Sequence, residues 1–547
     1  MWRKLALAVG TSALLTLAWP GTFPWGMGPG WMLVVPIAAV PLLWLIHSVH
    51  QEGKSRQGRQ VFWWSYLSMA LFNLGTTFWV ANAHWSGVVA TVLINGALMA
   101  CIISLYAWVL RHFGVKHAIY TLITGWLAFE VFHEYWGLSF PWLDLGHIFA
   151  DKVLFIQWYQ WTGHRGGTLW FWLLNLSVLY DAMRSMSSRE AGQKISWRHW
   201  RRSMLVFAIP AAVSMVLYVM PQDQGEQIQT LIAHPQVNPY KAKFQTRDIE
   251  QANQWSEQML AQPKAEGMQE LIVFPETFLH EGIDERIAKA FKPLITLEKF
   301  RQARGHAHVL IGAETYALYD EVNATPTARE LSSGRGSYDR FNSAVWLSDP
   351  RSPIEFYHKS KLVVGVEEMP FAKVFGSLLK DATIAMGGTS GTLGTQPERE
   401  IFYSADSSLR VAPIICWEQD YGAYARMFAA KGANLLTIMT NDGWWDNTSG
   451  HVAHAHYARL RAIENGLWLV RSANCGISAI ITNQGDVLQP MTYDERGIIR
   501  GEVTLMTPSF YANYGDLIGR FGAFIFPFLL LSLWVRRRIA QGDQADG

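Results

Sequence analysis

Val411-Ala-Pro-Ile-Ile-Cys416-Trp417-Glu418 is an apolar run that ends abruptly in a thiol and a carboxylate. A short aliphatic run of this kind predicts a strand buried on both faces, and its polar end predicts where the strand meets a site. Two other segments share the build: Leu271-Ile-Val-Phe-Pro-Glu276-Thr and Tyr357-His-Lys359-Ser-Lys each place an ionisable residue at the end of an apolar stretch. Strand-like runs recur at His308-Val-Leu-Ile-Gly, Ser343-Ala-Val-Trp-Leu, Asn434-Leu-Leu-Thr-Ile-Met, Leu467-Trp-Leu-Val-Arg and Ser478-Ala-Ile-Ile-Thr, with helical patterns over 283–304, 421–431 and 452–466 between them. Strands alternating with helices predict an α/β layered domain over residues 222–515.

The rest of the chain is of another kind. At 547 residues it is too long for one ordinary core, and with 16% charged residues, 13% aromatics and 26 tryptophans it is apolar for a soluble enzyme. Apolar runs cover 5–20, 31–48, 61–82, 88–110, 118–137, 168–183, 204–221 and 516–535. Most approach the ~20 residues that span a hydrocarbon core; the first and sixth are short. They predict a bundle of about eight membrane spans: seven in residues 1–221, then one in 516–547, which ends in a basic tail. No Ala-x-Ala-like site follows residues 1–20, so the first run reads as an uncleaved span rather than a signal peptide. With the N-terminus inside, the inner segments carry Arg3, Lys4, Lys54, Arg56, Arg59, Arg111, Lys116, Arg184, Arg189, Lys194, Arg198, Arg201, Arg202 and Arg536–Arg537–Arg538. The outer loops before residue 221 hold only Lys152 and Arg165. This asymmetry places 222–515 on the outer face. A net charge of +2 gives no argument for nucleic-acid binding.

Glu276, Lys359 and Cys416 have the chemistry of thiol-based acyl transfer. A neutral thiol is a poor nucleophile and needs a base and a nearby positive charge. Glu276 can take its proton, and Lys359 can favour the thiolate and then a tetrahedral oxyanion. The same residues would also serve as a structural ion pair beside a small core cysteine. Three cysteines make neither a disulfide framework nor a metal cluster. The one pairing available to the outer domain, Cys416 with Cys475, would silence the thiol, so both are expected free.

Four further stretches occur in order along the chain: Phe140-Pro-Trp-Leu-Asp-Leu-Gly, Thr440-Asn-Asp-Gly-Trp-Trp, Arg459-Leu-Arg-Ala-Ile-Glu-Asn-Gly and Arg471-Ser-Ala-Asn-Cys-Gly-Ile-Ser. With these, the Glu-Lys-Cys set resembles the triad of the nitrilase superfamily, and the whole chain resembles the apolipoprotein N-acyltransferase family. That resemblance implies a membrane bundle joined to an αββα sandwich on the periplasmic side of the bacterial inner membrane. It implies Glu276 as general base, Lys359 as oxyanion-stabilising lysine and Cys416 as the acylated nucleophile. Glu367 and Glu418 match functional glutamates of the family. Trp417 stands where tyrosine is usual, and Tyr240 where some members have tryptophan. Trp444, with Trp445, suits a substrate channel or interface anchor, or simply a buried packing position. The lysine segment departs from the common pattern, Lys361-Leu-Val-Val-Gly-Val-Glu367-Glu368, which makes Glu368 a rival to Glu367.

The implied reaction has two steps. Cys416 takes an acyl group from a phospholipid, at the sn-1 position, and the α-amine of the diacylglyceryl cysteine of an apolipoprotein then takes it from the thioester. No cofactor or metal is implied, membrane lipid is the surrounding partner, and nothing demands more than a monomer. The rivals are a membrane-anchored nitrilase-type amide hydrolase and a non-catalytic scaffold.

Several residues stay open. Glu130 lies in a predicted span, where a carboxylate is costly, and either braces the loop containing Trp142, with His133 one turn on, or is hydrated near the interface. Phe371, Val374, Phe375 and Leu378 share a helical face that dips into headgroups or packs on the domain's own core. His451, His454 and His456 lack the spacing of a metal-binding pair, and the resemblance, in which His454 matches a family histidine, implies helix-start packing there.

Overall fold

All eight apolar runs are largely helical in the structure, a computed structural model that describes residues 1–547 except 24–30, 54–56, 222–224, 241–244, 306, 321–322, 332–335, 369–391 and 546–547. Contacts divide the chain into two units, Met1–Met220 with Asp516–Gly547, and Pro221–Gly515.

In the first unit, four stretches among the described residues are long and apolar enough to cross a bilayer: Met32–Gln51, Trp85–His133, Trp197–Val219 and Leu517–Gln541. The helices Trp2–Ala18, Gln57–Thr77 and His164–Glu190 are shorter or more polar. The 49-residue stretch Trp85–His133 would far exceed a ~30 Å hydrocarbon core if it ran straight. It does not, because Gly114 (φ 80°, ψ 176°) breaks it in a conformation that favours glycine.

The two cations expected in outer loops are buried instead. Lys152 Nζ donates to the carbonyls of Ala18 (3.1 Å) and Ile148 (3.0 Å) and to Asp151. Arg165 donates to Asp516 Oδ2 and Glu134 Oε1, both at 2.6 Å, and lies 3.5 Å from Asp144 Oδ2. Glu130 is fully buried and accepts from the Leu145 backbone N–H (2.8 Å), Trp126 Nε1 (3.1 Å) and Thr168 Oγ1 (2.8 Å). It therefore braces the loop containing Trp142. His133 accepts instead from Trp136 Nε1 at 2.7 Å.

The second unit is a four-layer sandwich. Its first sheet runs in the order β14 (Gly497–Thr504), β1 (Gln227–His234), β2 (Glu270–Val273), β4 (His308–Tyr319), β6 (Ser337–Leu347) and β5 (Arg329–Glu330). β3 (Leu279–Asp284) pairs with β4, and β7 (Glu355–His358) with β6. The second sheet runs β13 (Val487–Met491), β12 (Ser478–Ile481), β11 (Leu469–Ala473), β10 (Leu435–Thr440), β9 (Arg410–Ile415) and β8 (Phe402–Tyr403). The sheets meet where Ser472 Oγ donates to the Ala233 carbonyl and His234 Nδ1 bonds Ser478 Oγ, both at 2.7 Å. Helices Asp248–Leu260 and Lys292–Ala303 cover the first sheet, with Trp255, Leu297 and Phe300 packed among Leu231, Ile272 and Val309. Helices Gly422–Ala430 and Ser449–Asn465 cover the second.

One expectation needs correcting. The pattern over 283–304 is not a single helix: β3 extends to Asp284, a 3₁₀ turn covers Glu285–Ala290, and the α-helix begins at Lys292. Pro293 would cost a hydrogen bond inside a helix, but its missing N–H and fixed φ suit the first turn of one.

Candidate active site

Glu276 follows β2 by three residues, while Lys359 and Cys416 directly follow β7 and β9. The chain turns sharply at two of these places, since Cys416 and Thr277 both hold a left-handed φ of 47°. Residues with a Cβ occupy that region at a cost of about 1–3 kcal/mol and do so mostly at functional sites. The turn at Glu276 presses against β4, where a Cβ on Gly312 would lie 2.3 Å from the Pro275 carbonyl and 2.6 Å from Glu276 Cα. Only glycine permits that approach.

The three side chains converge in a buried cluster. Lys359 Nζ donates to Glu276 Oε1 at 3.1 Å and to Glu367 Oε1 at 2.9 Å. Asn342, on β6, donates from Nδ2 to the same two oxygens, at 2.7 and 3.1 Å, and its carbonyl accepts from the Lys359 backbone N–H at 2.8 Å. The other oxygen of Glu276, Oε2, is buried and, among the described residues, accepts no hydrogen bond. Burial works against the charge on Lys359, yet Glu276 and Glu367 hold the ammonium well above its ordinary range. Burial pushes the Cys416 thiol well up, Glu276 adds to this, and Lys359 pulls the other way. Cys416 therefore rests as a thiol beside a carboxylate that has one free oxygen. No disulfide joins any of the three cysteines.

Glu418 has a different job. It is fully buried, and its Oε1 accepts from Tyr357 (2.7 Å), Tyr424 (2.9 Å) and the Ser360 N–H (2.8 Å), while Oε2 accepts from the Ile415 N–H (3.0 Å). It ties the segment after Lys359 to the strand before Cys416. Glu367 also caps its own loop through the Val363 N–H at 2.9 Å. Of the two adjacent glutamates, Glu367 is the one bonded to Lys359, and the Glu368 carbonyl accepts from Gly365. Trp417 donates from Nε1 to Tyr421 Oη at 3.3 Å. Tyr240 and Trp444 form an edge-to-face pair, 5.2 Å between centroids, and Tyr240 Oη donates to the Trp444 carbonyl at 3.0 Å. That pair stands just past β10, the strand beside β9.

The three histidines diverge. His454 Nδ1 bonds Asp442 Oδ1 at 2.8 Å, His451 lies against Tyr493, and His456 bonds Arg459. The one group of potential metal ligands among the described residues is Glu134, Asp144 and His164 in the first unit, where the Arg165 guanidinium already supplies the positive charge. Phe371, Val374, Phe375 and Leu378 lie outside the described residues.

Sequence reasoning missed Asn342 and the Tyr357–Tyr424 pair on Glu418. Asn342 had a signal, since it is a carboxamide opening the apolar run that follows it. Thr440 was quoted only as part of a motif, yet its hydroxyl reaches both Cys416 and Asp442.

Comparison with known proteins agrees with this architecture. The family model for carbon-nitrogen hydrolases matches residues 231–510, just over half of the chain, and that for the apolipoprotein N-acyltransferase N-terminal domain matches 11–177. The apolipoprotein N-acyltransferase of Chlorobaculum tepidum is 25% identical over 517 residues, covering 93% of this chain and 94% of the relative. That of Pseudomonas syringae pv. tomato is 25% identical over 523 residues, covering 92% and 90%. An amidase from Nesterenkonia sp. matches 53% of this chain and 94% of its own at 14% identity, with a TM-score of 0.32. The chain belongs to the carbon-nitrogen hydrolase family, with the N-terminal domain of apolipoprotein N-acyltransferases ahead of the hydrolase-like unit.

Proposed function

We propose that this chain transfers an acyl group from a phospholipid, through a thioester on Cys416, to the N-terminal amine of the diacylglyceryl cysteine of apolipoproteins. Relatives bearing the apolipoprotein N-acyltransferase name align along more than nine-tenths of the chain, including both halves. The observation that carries the mechanism is the unengaged, buried Oε2 of Glu276, whose other oxygen is fixed by Lys359 and Asn342.

In the first step Glu276 takes the thiol proton as sulfur attacks the ester carbonyl. Lys359 stabilises the oxyanion by charge and hydrogen bonding. The C–O bond breaks, and the glycerol oxygen leaves with the proton held by Glu276. In the second step the acceptor amine attacks the thioester, Glu276 takes a proton from its nitrogen, the C–S bond breaks and the thiol is restored. The thioester keeps the acyl group activated while one lipid leaves and another enters. Glu367 and Glu418 act as positioning residues, the first on Lys359 and the second on the turn bearing Cys416. Tyr240 and Trp444 line the approach, and Trp417 supports the turn.

The same reading extends to topology. We infer eight spans, with the 49-residue stretch counted as two because Gly114 divides it. Residues 1–221 form the bundle, 222–515 the periplasmic catalytic domain and 516–547 the last span and its cytoplasmic tail in the inner membrane. The scarcity of Lys and Arg in the outer loops before residue 221, where only Lys152 and Arg165 occur and both are buried, supports this orientation.

Purified protein given phosphatidylethanolamine and a diacylglyceryl-cysteine peptide is expected to release lysophospholipid and acylated peptide in equal amounts. Release of ammonia from small amides, with no acyl chain moved, would favour the amide hydrolase instead.

A further inference from the structure

The His164–Glu190 and Arg201–Val219 helices meet around a cavity of about 610 Å³ whose lining includes Arg184, Arg198, Arg201, Arg202, Tyr180 and Trp197. Four arginines and one carboxylate line it, and that carboxylate is already engaged. Asp181 is buried and accepts from the backbone N–H (2.9 Å) and hydroxyl (2.6 Å) of Ser203. None of the four arginines has a salt-bridge partner among the described residues. Arg202 is held 4.0 Å over the Tyr180 ring, and His199, in the 3₁₀ turn just before the second helix, bonds Ser188 Oγ of the first at 3.2 Å and accepts from the Ser196 N–H of its own turn at 3.1 Å. The cavity is therefore preformed, with unmatched positive charge at the start of a helix whose dipole adds to it.

We propose that this cavity binds the phosphodiester headgroup of an anionic membrane phospholipid. The guanidinium fork matches phosphate oxygens in pairs. The cavity opens the Trp197–Val219 stretch, one of those able to cross a bilayer, which puts it at headgroup depth. Trp197 beside it is largely exposed, as interfacial tryptophans are, and Leu205 and Val206 provide an apolar wall where the lipid's glycerol and chains would continue. A free phosphate would use the arginines and leave that wall unused. The proposal does not draw on the chemistry at Cys416, and its test reads binding rather than turnover.

The test is native mass spectrometry of the full-length protein from detergent, titrated with phosphatidylglycerol or with phosphatidylcholine of the same chains. Wild type is expected to retain one phosphatidylglycerol in preference to phosphatidylcholine. Arg184→Gln with Arg202→Gln should weaken that retention by about thirtyfold, roughly fivefold for each guanidinium removed, while the matching Lys substitutions keep most of it. Arg198→Gln with Arg201→Gln, on exposed positions, is the second pair should the first not fold. Equal retention of the two lipids, or unchanged retention in the Gln variants, would overturn the proposal. Displacement of the lipid by millimolar inorganic phosphate would also overturn it, assigning the arginines to a free anion.

Discussion

Arg165 in the first unit and Lys359 in the second are each buried among carboxylates, yet the two clusters are finished differently. The Arg165 fork reaches Glu134, Asp144 and Asp516, and both oxygens of its neighbour Glu130 accept hydrogen bonds. These groups come from distant parts of the chain, and the result is a clamp. Lys359 is a point charge shared by Glu276 and Glu367, and Glu276 keeps one oxygen unsatisfied beside a thiol on a strained turn. Each cluster holds a buried atom with no hydrogen-bond partner among the described residues, Arg165 Nε and Glu276 Oε2, at about 1–3 kcal/mol apiece, but only the second is an acceptor beside a nucleophile. Charge alone does not separate architecture from catalysis; an open carboxylate oxygen beside a thiol does.

The comparison can be broken at either cluster. Glu276→Gln keeps the shape but removes the base, and transfer should fall by about 10²–10⁴-fold. The same substitution removes a negative neighbour that pushes the thiol up, so the pH midpoint for alkylation of Cys416 should move down. Slower turnover with an easier thiolate would separate the base from a merely structural ion pair. Arg165→Met leaves its carboxylates uncompensated, and thermal melting in detergent should show a loss of about 3–5 kcal/mol. Melting unchanged from wild type would mean the clamp is not one.

Smaller effects probe what holds the open cluster. Asn342→Ala frees Glu276 Oε1 and Glu367 Oε1 from their shared donor, and the maximal transfer rate should fall by about 10- to 100-fold with little change in phospholipid KM. Trp417→Tyr exchanges one long hydrogen bond to Tyr421 for another side chain, so activity should stay within about fivefold of wild type. A larger loss would give the indole a direct role with substrate.

Glu276, Lys359 and Cys416 stood out because each ends an apolar run, and strand ends are where layered α/β folds collect polar groups, but reading them as a catalytic set took the family resemblance. Its partners were less so. Glu367 and Glu368 are adjacent in a loop, where no periodicity says which one faces Lys359. Asn342 is an ordinary residue until β6 is paired with β7, which puts Ser343 opposite His358 and brings Asn342 beside Lys359. The bundle was legible in its apolar runs, but the Arg165 clamp was not, because it joins residues 130, 134, 144, 165 and 516, and no local pattern links them. The break at 283–304 was written in Pro293, whose position one residue into a helix outweighs the apolar period around it.

The most direct test is intact-protein mass spectrometry after incubation with phosphatidylethanolamine. One added acyl mass should appear on Cys416, be absent in Cys416→Ala, and vanish when a diacylglyceryl peptide is added. An acylated peptide formed with no adduct ever detected on Cys416, or formed equally well by Cys416→Ala, would contradict the account.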